Sequence, residues 1–176
     1  MEATDHPDCV YFRTTPWNHG STLVADEKFT TITRTKTGAT ATPQSTAVLS
    51  YPHLLQITVP TSVIIDDRQV NAFRAFLRFR TGSQAQITQI RFFDGEMQFA
   101  HFVEPLRALA FMTRSMRFRN PHPVIYAISL SVEVSFISPR PGEAWVEIVG
   151  AGVEYMQATP VPLPPRYPAE DELEES

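Results

Sequence analysis

The side chains with the most chemistry to offer are thirteen arginines and five histidines, set against two lysines and a single cysteine. Arg74, Arg78 and Arg80 share one strand parity with Phe76 among them, and Arg117 and Arg119 repeat the two-residue spacing. Guanidinium groups interleaved with rings suit a nucleic acid backbone and its bases, or a small organic anion. The distribution of charge separates the two. The formal net charge is -4, but Glu170, Asp171, Glu172, Glu174 and Glu175 fall in the last seven residues, and without them 14 acids face 15 bases. A nearly neutral body matches nucleic acid poorly, because such binders carry a much more basic footprint. An anionic small molecule, or the chain's own acidic tail, fits the arginines better. Trp17, Trp145, Tyr126 and Tyr155 could stack on sugars or on an apolar ligand, although such rings in a sandwich more often belong to core or rim.

Other chemistries find little support. His6, His19, His53, His101 and His122 have neither the spacing nor the thiolate partners of a zinc site. Asp66-Asp67 before Arg68 reads as a turn rather than a calcium loop, since no Asp-x-Asp-x-Asp pattern accompanies it. Neither a Gly-x-Ser-x-Gly elbow nor a glycine-rich phosphate loop occurs. Ser129, Ser131 and Ser135 flank Glu133 as on any solvated strand face, and Cys9 has no basic neighbour to activate it. No metal and no cofactor is expected.

The elements that must position these groups read in periods of two. From Val124 to Ile137, Val124, Tyr126, Ile128, Leu130, Val132, Val134 and Phe136 fall on one face and the serines and Glu133 on the other. That alternation predicts a half-buried antiparallel strand. Val70 to Thr81 alternates too, with Phe73, Ala75, Leu77 and Phe79 opposing Arg74, Phe76, Arg78 and Arg80. Further strands are expected at Phe29–Thr35, Leu54–Val59, Met116–Arg119 and Ala144–Met156, the last with Gly150 and Gly152 marking a bulge or close backbone approach. Pro105 to Thr113 is the single helical candidate, and it is short enough to be a loop. The fold class is therefore all-β: an antiparallel β-sandwich, jelly-roll-like, with at most one short helix.

Asp94-Gly95 is the strongest hairpin signal. A two-residue loop there would pair Phe93 with Glu96, Phe92 with Met97, Ile90 with Phe99 and Thr88 with His101. His101 would then sit on the apolar face, at the end away from the turn. A histidine so placed either lines a pocket as an acid or base or, the commoner case, bonds a backbone carbonyl at the core edge.

Residues 1–20 read as an N-terminal arm, 21–158 as the sandwich, and 159–176 as a Pro-rich acidic tail that cannot pack. The tail carries a PxxP spacing from Pro162 to Pro165, open to a proline-reading protein partner. With one cysteine there is no internal disulfide; nor is there a leader-like start, a membrane-length apolar run or an Asn-x-Ser/Thr acceptor. These features make a cytoplasmic, membrane-free protein the expectation.

Five blocks, in order, carry a resemblance: Thr-Ser-Val-Ile-Ile-Asp-Asp-Arg (61–68), Leu-Arg-Phe-Arg-Thr-Gly (77–82), Ile-Arg-Phe-Phe-Asp-Gly (90–95), Ile-Ser-Leu-Ser-Val-Glu-Val-Ser-Phe (128–136) and Val-Gly-Ala-Gly-Val (149–153). As a set they resemble a family of small bacterial and fungal all-β proteins classed as a domain of unknown function. The resemblance spans roughly Phe29 to Tyr155. It implies the fold and no activity. The segment Glu104–Ser115 is apolar and arginine-bearing where the family pattern implies a polar loop.

Three functions fit. The first is a module binding a small organic molecule or carbohydrate in a cleft or on a concave face, with Arg78, Arg91, Tyr126 and Trp145 as ligand contacts. The second is a cofactor-free cyclase, isomerase or lyase of secondary metabolism, with His101 as acid or base and Arg91 or Arg78 steadying an anion. The third is an interaction protein acting through the tail.

Overall fold

The alternation that dominates the sequence becomes two antiparallel sheets packed face to face. The computed structural model describes residues 13–45, 51–61, 63–65, 68–138, 140 and 142–157. In chain order its strands are β1 (Arg13–Thr14), β2 (Trp17–His19), β3 (Val24–Ala25), β4 (Thr30–Arg34), β5 (Ala39–Pro43), β6 (His53–Thr58), β7 (Ile64–Ile65), β8 (Arg68–Thr81), β9 (Ala85–Asp94), β10 (Met97–Leu106), β11 (Met112–Pro123), β12 (Ile128–Phe136) and β13 (Val146–Gln157). One 3-10 turn, Gly20–Thr22, follows β2. The larger sheet runs β11-β8-β13-β5-β4, with β1 and β2 also on β13 and β7 on β8. The smaller runs β10-β9-β12-β6-β3.

The core lies between them. From β8 come Val70, Ala72, Ala75, Leu77 and Phe79, and from β12 Ile128, Leu130, Val132, Val134 and Phe136, all buried. Ile87, Ile90 and Phe92 of β9 and Leu55 and Ile57 of β6 complete the smaller sheet's inner face. Each large side chain so buried stabilises the fold by roughly 1.5–3 kcal/mol relative to exposure.

Strand β13 is the spine of the larger sheet. One edge pairs with β8 along its whole length, from Val146↔Thr81 to Gln157↔Val70. The other edge is shared: β5 takes Val146–Ile148, β2 takes Gly150–Gly152 and β1 takes Tyr155–Met156. Residues 13–20, read from sequence as part of an arm, therefore pair onto or lie against the sandwich. At the hand-over from β5 to β2, Gly20 and Gly38 both press against the Ile148 carbonyl. A Cβ on either would lie 1.9 or 2.1 Å from its oxygen.

Two expectations about local structure need correcting. The helix considered over Pro105–Thr113 does not form: β10 runs through Pro105 to Leu106, and β11 begins at Met112. Strand β11 is also much longer than Met116–Arg119. It continues through Asn120-Pro121-His122-Pro123 because it is a sheet edge, where a missing N–H leaves no ladder bond unmade.

The hairpin register differs as well. Asp94 pairs with Met97, so Gly95-Glu96 is the loop, with Gly95 at φ 60°. An irregularity between Gln98 and Ala100 then inserts one residue, and His101 pairs with Arg91 instead of Thr88. One extra residue reverses face parity. His101 is consequently exposed on the outer side of the smaller sheet.

Tyr155 is fully buried, with its hydroxyl 3.3 Å from Thr61 Oγ1. Thr61 itself donates to the Val59 carbonyl and accepts from the Ile128 amide. Burial pushes the Tyr155 phenol up to about 12, and its hydrogen bond to Thr61 offsets only part of this. A folded pKa above the unfolded value of about 10 gives stability that is complete below pH ~10 and is lost as pH rises through about 12. Tyr155→Phe should cost about 1 kcal/mol at neutral pH and flatten that alkaline decline. Urea midpoints measured from pH 8 to 12 check both.

Candidate functional site: the outer face of the larger sheet

Of the candidate contacts, two come together. Arg78 and Trp145 lie on the outer face of the larger sheet, on β8 and just before β13. On β8 the outward row is Arg74, Phe76, Arg78 and Arg80. The register sets these against Glu154, Gly152, Gly150 and Glu147 of β13 and, for the first three, against Arg117, Ser115 and Thr113 of β11.

Gly150 and Gly152 leave the middle of this face without side chains. Trp17, opposite Gly152 on β2, fills part of the gap. Its ring lies so close over Gly152 that a Cβ there would meet Trp17 Cδ2 at 2.9 Å. It stacks on Phe76 at 5.8 Å with planes 28° apart, yet Trp17 keeps 45% of its surface open. The aromatic row continues. Arg80 has its guanidinium 4.4 Å from the Phe111 ring and 5.3 Å from Trp145, and Arg78 lies 5.8 Å from Phe111. The indole N–H of Trp145 is anchored by the Gly142 carbonyl at 3.0 Å.

Charge on this face is partly self-cancelled. Arg80 Nε donates to Glu147 Oε2 at 2.6 Å, and Thr37 donates to the other oxygen at 2.7 Å. Arg74 lies 3.5 Å from Glu154. Arg78 has no ion-pair partner among the described residues. A guanidinium has five N–H donors, so Arg80 retains hydrogen-bonding capacity beyond its bond to Glu147. The surface is thus aromatic and rich in planar polar groups, with Glu147 and Glu154 cancelling two of its arginines and Arg78 and Arg117 left uncompensated among the described residues.

The remaining candidates are dispersed. Arg91 and His101 are cross-strand neighbours on the outer face of the smaller sheet. Arg91 reaches Glu133 at 3.4 Å, and His101 Nε2 lies 2.5 Å from Gln89 Oε1, while Gln89 donates to Glu133. This is a hydrogen-bonded network on the outer sheet face, and His101 there also borders a cleft between β10 and β11. Tyr126 precedes β12 and is 68% exposed, its ring lying against Gly95. It therefore leaves the apolar face that the alternation assigned to it. Asp66-Asp67, Cys9 and the tail from 159 lie outside the described residues. Among the described residues no group of three or more His, Cys, Asp or Glu could hold a metal. No helix among them is long and apolar enough to cross a membrane.

No protein-family model matches the chain, and neither does any curated protein. Solved structures overlap it loosely. A family 29 carbohydrate-binding module from Piromyces equi is 9% identical, with a TM-score of 0.38 over 85% of this chain and 92% of that one. Another family 29 module is 6% identical, with a TM-score of 0.40 over 83% and 88%. The Tobacco streak virus coat protein is 9% identical, with a TM-score of 0.37 over 95% and 99%. Overlaps this loose assign no ligand.

Trp17 was read from sequence as a possible sugar-stacking ring, without its place beside Arg78 and Trp145, while Phe111 was not singled out. The available signal for Trp17 was the Gly150-x-Gly152 pair, two bare positions on one strand face that a ring from a neighbouring strand can cover. Phe111 lies within the segment Glu104–Ser115 already singled out as atypical.

Proposed function

We propose that the protein is a binding module that takes a carbohydrate chain on the outer face of its larger sheet. One observation carries the reading: the half-open Trp17 ring, laid over Gly152 and stacked on Phe76, begins a row that continues through Arg78, Phe111, Arg80 and Trp145. Sugar rings present C–H faces that pack on aromatic faces, and hydroxyls that bond to planar polar side chains. This row supplies both. Arg80 and Arg74 are already held by Glu147 and Glu154, which leaves them to bond hydroxyls rather than to attract a polyanion. From Phe76 to Arg80 the strand rises about 13 Å, so the row accommodates a chain of sugars rather than a single one. The outer face needs no enclosed cavity for this role.

Isothermal titration against neutral soluble glycans, α- and β-linked, tests the proposal. An aromatic anchor at the centre of an interface typically contributes 2 kcal/mol or more. Trp17→Ala should therefore weaken glycan binding by about 30-fold while leaving the circular dichroism spectrum unchanged. Binding that survives in Trp17→Ala, or binding by no glycan at all, overturns the assignment.

A further inference from the structure

A second site of different chemistry lies on the lateral side of the sandwich. Strands β10 and β11 are edges of opposite sheets, and no strand bridges them. Between them opens a cleft of about 560 Å³, within the range of small-molecule sites.

The bulge in β10 shapes its floor. Phe99, the residue skipped in the register, stacks on His122 of β11 at 4.0 Å with planes 8° apart, and meets Phe118 edge-on at 5.1 Å. Phe102 completes an apolar floor against Phe118. The rim is cationic. Arg117 and Arg119 line the cleft, and neither has an ion-pair partner among the described residues; Arg117 is held over the Phe73 ring at 4.6 Å. No carboxylate lines the cleft. Behind the lining, His122 contacts Asp94, which is fully buried and occupied by His122 and the amides of Ile125 and Tyr126. Further along the same two strands, Arg114 and Glu104 form an ion pair that joins the edges.

We propose that this cleft binds a small organic anion with a flat apolar body, such as an aromatic carboxylate or sulfonate. The body packs on the partly exposed Phe99 and Phe102, which Phe118 backs from the core, and the anionic group meets Arg117 and Arg119. Charge decides the class. An apolar floor alone would accept any flat molecule, but two uncompensated guanidinium groups at the mouth of a partly desolvated cleft select the anion. The cleft shares Arg117 with the outer face of the larger sheet, but Trp17, Phe111 and Trp145 do not line it, so the two proposals can fail separately.

Arginine and proline on an edge strand also serve to blunt edge-to-edge association, and the experiment separates that role from ligand binding. The probes are 1-anilinonaphthalene-8-sulfonate and its uncharged counterpart N-phenyl-1-naphthylamine, titrated into the full chain by fluorescence and calorimetry. The expected result is one saturable site for the sulfonate, with the uncharged probe at least about tenfold weaker, equivalent to 1.4 kcal/mol. Arg119→Glu, a change at an exposed position, should weaken the sulfonate by a further tenfold or more. Arg119→Lys should retain most of the affinity, and Trp17→Ala all of it. Equal affinity for the two probes, or sulfonate binding unchanged in Arg119→Glu, overturns the proposal and leaves edge protection as the role of these arginines. Absence of saturable sulfonate binding to the native chain overturns it as well.

Discussion

Asp94→Ala should lower the unfolding free energy by about 3 kcal/mol and the melting temperature by about 10 °C. Asp94 ends β9 with its side chain fully buried. Its Oδ1 accepts from the Tyr126 amide at 2.8 Å, and its Oδ2 accepts from the Ile125 amide at 2.7 Å and from His122 Nε2 at 3.1 Å. The carboxylate thus ties the β9–β10 turn both to the end of β11 and to the chain entering β12. Truncation leaves two backbone amides and an imidazole without an acceptor at once, and each orphaned group costs about 1–3 kcal/mol unless water reaches it.

Burial alone would push the Asp94 carboxyl up, but the two amides and His122 more than offset this and hold it below the usual range. A depressed folded pKa adds stability that is present above the unfolded value of about 3.9 and lost as pH falls through the folded value. Acid unfolding of the native chain should therefore steepen below pH ~4, and Asp94→Asn should remove that component. Urea midpoints between pH 2.5 and 7 decide the matter. A native-like acid profile in the asparagine variant would show that Asp94 is not the group responsible.

Gly20→Ala and Gly38→Ala should each cost about 4 kcal/mol, at the upper end of single-substitution effects. Neither glycine needs an unusual backbone conformation. The cause is proximity: the new methyl would sit 1.9 or 2.1 Å from the Ile148 carbonyl oxygen, at the point where β13 changes partners. Backbone at the centre of a paired sheet cannot move aside as a flexible side chain can. Because both methyls press on one carbonyl, the double variant should lose clearly less than the sum of the singles. Gly142→Ala is the contrasting control. Nothing lies within 4 Å of its would-be Cβ, but its φ of 81° is unfavourable for a side chain, so it should lose about 1–2 kcal/mol. If denaturant midpoints rank Gly142→Ala as the most damaging of the three, crowding at Ile148 is not what those glycines relieve.

These cases mark where the sequence is readable. Strands β8 and β12 announce themselves because a half-buried strand prints its two faces alternately, and the Arg74/Phe76/Arg78/Arg80 row emerged on the side expected. The alternation overreached at Tyr126, since the chain turns there to meet Asp94 and the strand begins only at Ile128. Strand β5 was missed: alternating alanine and threonine give too little contrast between buried and open positions, although Ala39 and Ala41 are fully buried. His101 was placed on the wrong face for a different reason. A slip of the β9–β10 loop by one residue on each side preserves parity, but the single residue added beside Phe99 does not, and nothing local in Gln98-Phe99-Ala100 signals it. The aromatic outer face of the larger sheet gathers β2, β8, β13 and a loop from distant parts of the chain. Its individual residues were visible, and their meeting was not.

The position of β13 sets the order in which the molecule can be built. Every strand of the smaller sheet precedes Ile137, so that sheet can assemble while the chain is still being synthesised. The larger sheet cannot, because the strand that joins β8 to β5, β2 and β1 is the last among the described residues. Until β13 emerges, those earlier strands wait as unpaired edges and the finished sheet holds its apolar face open to water. Pairings this distant in sequence close slowly, and exposed edges and apolar faces are what nascent chains aggregate through. The interval before residue 157 is available is therefore the one in which this chain is most exposed to aggregation.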